Sequence, residues 1–316
     1  MNDKDKQDTI KWLEAQVTAS SISAVARRAS ISQSTISRLI SGQYSGDVDG
    51  MLEKIAEVRR VEQERSAHVI KVPFCETSLA RAVCHTCDRV RLFGHLSRVI
   101  GRSQIGKTWA LRRYAESHPN TYYLEMPNRP TVGALVAQLC RQVGAAYRAL
   151  AYQAREELAP KLGSNSLIIV DECQQATYRG KAGVCGPLEW LRQIHDATGC
   201  GMALVGTPEF DQATRSGSEA RTLEQICKRG RAEYLNPLPT MGDIRLVCSH
   251  FGLDAPSGSA LKLVQDMVSR IGLGEFCRAI EVVAYNARYR QQELSWEVFA
   301  EDVRLQEERA RKYAVQ

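Results

Sequence analysis

Gly101-Arg102-Ser103-Gln104-Ile105-Gly106-Lys107-Thr108 is the stretch that decides the fold. It spells G-x-x-x-x-G-K-T. Residues 96–100 before it predict a short strand, and residues 109–117 after it suit a helix. That setting points successive backbone N–H groups, and the positive end of the helix, at one phosphate. Glycine at both ends allows the tight turn. Residues 101–106, Arg102, Ser103, Gln104 and Ile105 among them, then wrap the phosphates. Lys107 reaches the β- and γ-phosphates, and the Thr108 hydroxyl holds Mg2+. Few small residues occupy the loop interior, which predicts modest affinity.

Outward from the loop, strands and helices alternate. Residues 77–90 suit a helix, 121–126 a strand, 132–147 an amphipathic helix and 187–198 a further helix. This is the pattern of an α/β fold with a parallel sheet. Leu167-Ile168-Ile169-Val170-Asp171-Glu172 is an apolar run ending in two acids, as a parallel strand would deliver them beside a phosphate loop. Asp171 is expected to hold Mg2+, mostly through water, and Glu172 to orient and deprotonate the attacking water. The bland alternative is a strand capped by two exposed acids. Residues 202–207 form another strand ending at Thr207, placed to sense a γ-phosphate or simply to turn the chain before Pro208. Cys227-Lys228-Arg229-Gly230-Arg231 offers cations for a neighbouring subunit's nucleotide, Arg229 first, or else a solvated helix end. From residue 241 the pattern is helical throughout (243–250, 259–269, 275–287 and 296–313), as in a small lid.

The N-terminal part reads differently. After a helix over 8–17, Ser21 to Gly42 has the pattern of a helix-turn-helix. Ile22, Val25 and Ala26 pack its first helix, Ile31 plugs the turn, and Ser32 caps a second helix that faces inward through Ile36, Leu39 and Ile40. Gln33, Ser34, Thr35, Ser37 and Arg38 then face outward, where they can bond phosphates or base edges. Residues 20–44 hold Arg27, Arg28 and Arg38 and no acid, which suits a phosphate-facing surface with Arg28 among its contacts. Ser30 stands where such turns often carry glycine, so strain is expected there. So few long basic groups predict weak or sequence-tolerant DNA binding; the alternative is a helical packing module without DNA contact. The expected division is 1–50 for this domain, 51–72 for a linker, 73–239 for the nucleotide-binding core and 240–316 for the lid.

Bulk composition narrows the class. The 316 residues are 44% hydrophobic and 25% charged, enough to bury a core. No apolar run approaches the roughly 18 residues of a membrane span, and the charged N-terminus lacks a secretory signal. A cytoplasmic location is the default expectation. Ten cysteines include one C-x-x-C, Cys84 to Cys87, with no second pair at zinc spacing, so buried reduced thiols are expected. The net charge of +6 is compatible with nucleic acid but too mild to argue for it alone.

The helix-turn-helix continuing into Gln43-Tyr44-Ser45-Gly46-Asp47, the GRSQIGKT loop, the IIVDE strand and the 202–207 strand together resemble one family. They are similar to the AAA+ target-DNA-binding ATPases of transposition of the phage Mu B type, and more distantly to the TnsC and IstB ATPases. The resemblance implies an AAA+ P-loop three-layer αβα core with a small helical lid, preceded by an all-α helix-turn-helix domain. It implies ATP and Mg2+ as cofactors, slow hydrolysis stimulated by DNA and transposase, and a bacterial host cytoplasm. It also implies an ATP-dependent homo-oligomer on double-stranded DNA of little sequence preference, with a transposase as partner. Gly101, Gly106, Lys107 and Thr108 match the Walker A positions, and Asp171 and Glu172 match Walker B. Thr207 stands where the family has a polar sensor, often Asn, and Arg229 where it carries a finger-like arginine after a serine, here Lys228. An ungapped reading puts Cys277 at the second sensor position; Arg278 takes that role with a one-residue shift. The 173–183 segment, longer than its counterpart, brings Arg179 and Lys181 to a DNA-facing loop or to a plain surface insertion. An AAA+ helicase loader or other remodeller is the alternative function, and a regulator using nucleotide only as a switch is a third. The N-terminal motif favours transposition, and Glu172 argues against a pure switch.

Overall fold

The apolar runs around the phosphate loop are strands. A computed structural model describes residues 1–68, 74–147, 151–177, 186–216, 220–236 and 238–314. Strands β1 (Leu96–Ile100), β2 (Thr121–Glu125), β3 (Leu167–Asp171), β4 (Gly201–Gly206) and β5 (Gly230–Tyr234) form one sheet in the order β2-β3-β4-β1-β5. Every pairing in it is parallel. Every residue of β1, β3 and β4 is buried, as expected of parallel strands covered on both faces, whereas β2 and β5 are partly exposed edges. β5 was not foreseen: Gly-Arg-Ala-Glu-Tyr is too polar to read as a strand, and only an edge position tolerates it.

The chain divides into two compact units, Met1–Lys71 with Ala284–Glu293, and Val72–Val283 with Leu294–Gln316. In the first, helices α1 (Asp3–Ala19), α2 (Ile22–Ala29), α3 (Gln33–Ile40) and α4 (Val48–His68) pack around Leu13, Val25, Ile36, Leu39, Leu52 and Ile55. Ser21 and Ser32 cap α2 and α3 by accepting from Ala24 N and Thr35 N. Ser30 is left-handed, at φ 52°, so the expected strain is present at the turn. The stretch read as a linker, 51–72, with a charged helix expected over 51–65, is helical as far as His68. Leu52 and Ile55, spaced i, i+3, are buried against α1, so these residues complete the small core.

In the second unit, α5 (Ser78–Phe93) and α6 (Lys107–Ser117) cover one face of the sheet. The other face is covered by α7 (Val132–Val143), α8 (Ala151–Leu158), α9 (Gly186–Thr198), α10 (Pro208–Ser216) and α11 (Ala220–Arg229). Strand alternation divides the two cores: Ile168, Val170, Met202 and Leu204 point one way, Leu167, Ile169, Ala203 and Val205 the other. α7 stops short of the expected residue 147 because Gly144 caps it in the left-handed region. Helices α12 (Met241–His250), α13 (Gly258–Tyr289) and α14 (Trp296–Ala314) follow, with α13 broken at Gly272, at φ 83° and ψ 167°. Phe299 meets Phe276 and Trp296 edge-on in their core. Asp243 ties α12 to α5 by accepting from Ser78 N (2.6 Å) and Ser78 Oγ (2.5 Å). Among the described residues, no helix is long and apolar enough to cross a membrane. Cys84 and Cys87 both lie on α5, where burial raises their thiols above the usual range.

Candidate functional site

The parallel strands bring three sequence-distant features to one end of the sheet. The loop of residues 101–106 leaves β1, and α6 starts at Lys107 behind a left-handed Gly106, at φ 101°. Gly101 is needed for space: a Cβ there would stand 2.9 Å from the Ile105 side chain and 3.3 Å from Leu235. Ile105 is buried in the core, while Arg102, Ser103 and Gln104 are exposed at the tip. The lid touches this tip, because Gly274 N donates to Gln104 O at 3.1 Å. A Cβ at Gly272 would come within 2.9 Å of the same oxygen, so the break in α13 has to be glycine.

Lys107 is only 7% exposed, and its ammonium donates to Gly101 O (2.8 Å) and Arg102 O (2.6 Å). Burial pulls its pKa below the ordinary lysine value, against the pull of Asp171, Glu172 and Glu209. The Thr108 hydroxyl donates to Asp171 Oδ2 at 2.7 Å, and Glu172 N to Asp171 Oδ1 at 2.8 Å. Glu172 occupies the left-handed region at φ 58° without being glycine, a strained conformation of the kind that functional sites keep. Its carboxylate accepts from the Gln174 amide. Burial, and then Asp171 next to it, raise the Glu172 pKa above the usual glutamate range.

Gly101 N bonds Gly206 O, so Thr207 follows directly beside the start of the loop. Its hydroxyl is buried and has no hydrogen-bond partner among the described residues. It is near enough to Glu209 to help hold that carboxyl below its usual range, but no bond of good geometry joins them. A cavity of about 200 Å³ beside Asp171 is lined by Thr108, Arg112, Tyr123, Glu125 and Glu172 among others. A buried ammonium held only by loop carbonyls, an orphaned hydroxyl at the strand end and a Thr–Asp pair at the helix start fit a triphosphate with a divalent cation. Gln174 and Tyr123, which touch the two acids, were not singled out from the sequence. Tyr123 had a faint signal, since alternation along β2 turns it to the α6 face. Gln174 had none.

The remaining expected residues lie apart from this corner. Arg229 ends α11 and pairs with Asp196 at 2.8 Å. The register pairs Gly230 with Leu96, so Arg229 sits at the start of the strands and its own phosphate loop at their far end. At about 3.3 Å per residue, the five residues of β1 keep the two some 16 Å apart. Arg229 lines a different cleft, of about 530 Å³, with Arg89, Phe93, His95, Lys228 and Arg231. Arg278 lies one helical turn beyond Gly274, 71% exposed and paired with Glu275 at 2.5 Å. Cys277, at the ungapped sensor position, is a partly buried thiol that burial pushes up to about 12. On α3, Gln33, Ser34, Ser37 and Arg38 are exposed, and Thr35 is half-buried against Ser32 Oγ at 2.8 Å. Arg28 is held by Glu62 (2.9 Å) and Gln16 (3.1 Å), which leaves it less free for phosphate than its position suggested. Arg179 and Lys181 lie outside the described residues.

Residues 95–213 match the AAA-domain family. The chain is 24% identical over 264 residues to the Mu-like prophage FluMu DNA transposition protein B of Haemophilus influenzae, which covers 82% of this chain and 88% of that protein. It is 25% identical over 216 residues to the ATP-dependent target DNA activator B of Escherichia phage Mu, covering 65% of this chain and 66% of that one, just under two thirds of its length. The activator B of Escherichia phage D108 matches to the same extent. An AAA domain with a P-loop sheet, joined to similarity that reaches well beyond it into these transposition proteins, supports a Mu B-type AAA+ ATPase.

Proposed function

We propose that the protein is an ATP-dependent DNA-binding ATPase of transposition that assembles on target DNA and presents it to a transposase. The observation that carries the proposal is the convergence of Lys107, Thr108, Asp171, Glu172 and the unpartnered Thr207 hydroxyl at one end of the sheet. Lys107, released from the loop carbonyls, binds the β- and γ-phosphate oxygens, and the loop N–H groups bind the rest. Thr108 and Asp171 would hold Mg2+, which would supply positive charge to offset that of the phosphates. Glu172 orients the attacking water and takes its proton; its raised pKa makes it a better base than an ordinary glutamate. Thr207 donates to the γ-phosphate and gives its hydroxyl the partner that it lacks.

Arg229 acts on the nucleotide of the next subunit, because it stands at the far end of the strands from its own loop. ATP bridging Lys107 of one copy and Arg229 of another makes assembly nucleotide-dependent by linkage. Hydrolysis, stimulated by DNA and transposase, then releases the DNA. Gln33, Ser34, Ser37 and Arg38 supply the first, sequence-tolerant contacts to the duplex, with Arg179, Lys181 and Arg28 secondary to them. Arg278, or another lid residue, closes over the nucleotide.

Electron microscopy of the chain on duplex DNA, with ATP and with ADP, tests this reading. Filaments with ATP alone are expected, and Lys107→Ala abolishes them. If Lys107→Ala still assembled on DNA in an ATP-dependent way, the proposal would be wrong. The runner-up, an AAA+ loader acting on a replicative helicase, shares the ATPase core; a pull-down that recovers helicase and not transposase would reverse the order.

A further inference from the structure

Asp171 is fully buried, so only protein groups and whatever enters the cavity beside it can reach its carboxylate. Oδ2 accepts from two hydroxyls, Thr108 Oγ1 at 2.7 Å and the Tyr123 phenol at 3.0 Å, and Oδ1 accepts from Glu172 N at 2.8 Å. A carboxylate offers about four lone-pair directions, so three are taken and the remaining one is on Oδ1. The two hydroxyls come from different elements. Thr108 is on α6, while Tyr123 is on the edge strand β2, whose Glu125 lies level with Asp171.

Arg112, one helical turn after Thr108, joins those elements. Its guanidinium lies 5.2 Å from the Tyr123 ring centroid and also bonds Glu125 at 3.0 Å. The ring is thus held from above by a cation on the phosphate-loop helix, with its hydroxyl fixed on the acid. Without the phenol, the rotation of the Asp171 carboxylate would be set on the Oδ2 side by Thr108 alone, and Thr108 is itself assigned to the metal.

We infer that Tyr123 is a positioning residue for the divalent cation. It saturates Asp171 Oδ2 and so turns the one open lone pair of Oδ1 toward the cation's water shell. Arg112 keeps the Tyr123 ring in place for that purpose. The inference rests on the reading of Asp171 as the metal carboxylate.

The experiment titrates Mg2+ into the full chain with a fluorescent, non-hydrolysable ATP analogue and compares the midpoint with binding of the same analogue in EDTA. Tyr123→Phe keeps the ring, and with it the Arg112 contact, and removes one hydrogen bond. It is expected to raise the Mg2+ midpoint about three- to tenfold, the range for one ordinary hydrogen bond lost, with binding in EDTA unchanged. Arg112→Met is expected to shift the midpoint less, in the same direction. An unmoved midpoint in Tyr123→Phe overturns the inference, as does an equal loss with and without Mg2+, which would mark a packing role. Asp171→Asn separates the two levels: if it too leaves the midpoint in place, the metal reading of Asp171 has failed, and the role of Tyr123 falls with it.

Discussion

Glu172 combines a left-handed backbone with a carboxyl whose pKa is raised by burial and by Asp171. A carboxyl with a folded pKa above its unfolded value stabilises the fold only while protonated, and that contribution is lost as pH rises through the folded value. Neutral Glu172→Gln is therefore expected to melt above the parent chain at pH 7–8, with the difference closing as pH falls toward 4.5, the ordinary glutamate value. The same substitution is expected to abolish hydrolysis while sparing ATP binding. A lower Tm for Glu172→Gln at neutral pH would contradict the electrostatic account. Thr207 gives the complementary case. Its buried hydroxyl has no partner among the described residues, so the isosteric Thr207→Val should change stability by less than about 1 kcal/mol, or raise it slightly. Its effect should appear only as a loss of discrimination between ATP and ADP in binding assays.

Two buried charges hold elements of the second unit together. Arg98 sits in the middle of strand β1, between β4 and β5, where it pairs with Asp211 at 2.6 Å and bonds Thr214 Oγ1 at 2.9 Å, both on α10. α10 begins one residue after Thr207, so this pair braces the C-terminal end of β4 against the strand that feeds the phosphate loop. Removing one partner of such a pair leaves the other buried and uncompensated. Asp211→Ala is expected to lower stability by about 3–5 kcal/mol in chemical denaturation. Asp243 is the second brace. Burial alone would raise its pKa, but bonds from Ser78 and Thr240 outweigh that and leave it lowered. The stabilisation it contributes is present above the unfolded value near 3.8 and is lost as pH falls through the folded one. Asp243→Ala loses a capping box and the Ser78 contacts together, about 2–4 kcal/mol, measurable as a lower urea midpoint at pH 7.

On the scale of the whole molecule, two surface residues bear on the proposed assembly. Trp109 follows Thr108 directly and is 70% exposed, an unusual position for tryptophan beside a nucleotide site. Arg229 is at the surface with one carboxylate partner, Asp196. If ATP lies between copies, Trp109→Ala and Arg229→Ala should each weaken ATP-dependent assembly, seen by sedimentation, and Arg229→Ala should also slow hydrolysis by the oligomer. Stability of the isolated chain should stay within about 1 kcal/mol in both, because neither side chain packs a core and surface ion pairs contribute little. Unchanged sedimentation in both variants would rule out a nucleotide-bridged interface.

The sequence by itself determined the local chemistry: the phosphate loop, the Asp171–Glu172 strand end, the helix-turn-helix with its strained Ser30, and a helical lid with a break near residue 272. Each rests on short-range rules of spacing, capping and strand alternation, which act within a few residues and can be read without the fold. The tertiary structure alone decided which residues meet. Nothing in Leu-Ser-Arg-Val-Ile names Asp211 as the partner of Arg98, and nothing in the spacing brings Tyr123 to Asp171. The edge strand β5, the burial of α4 and the distance of Arg229 from its own loop were hidden for the same reason. They follow from strand order and register, which are set by packing the whole sheet between its helices and leave no pattern in any one stretch of chain.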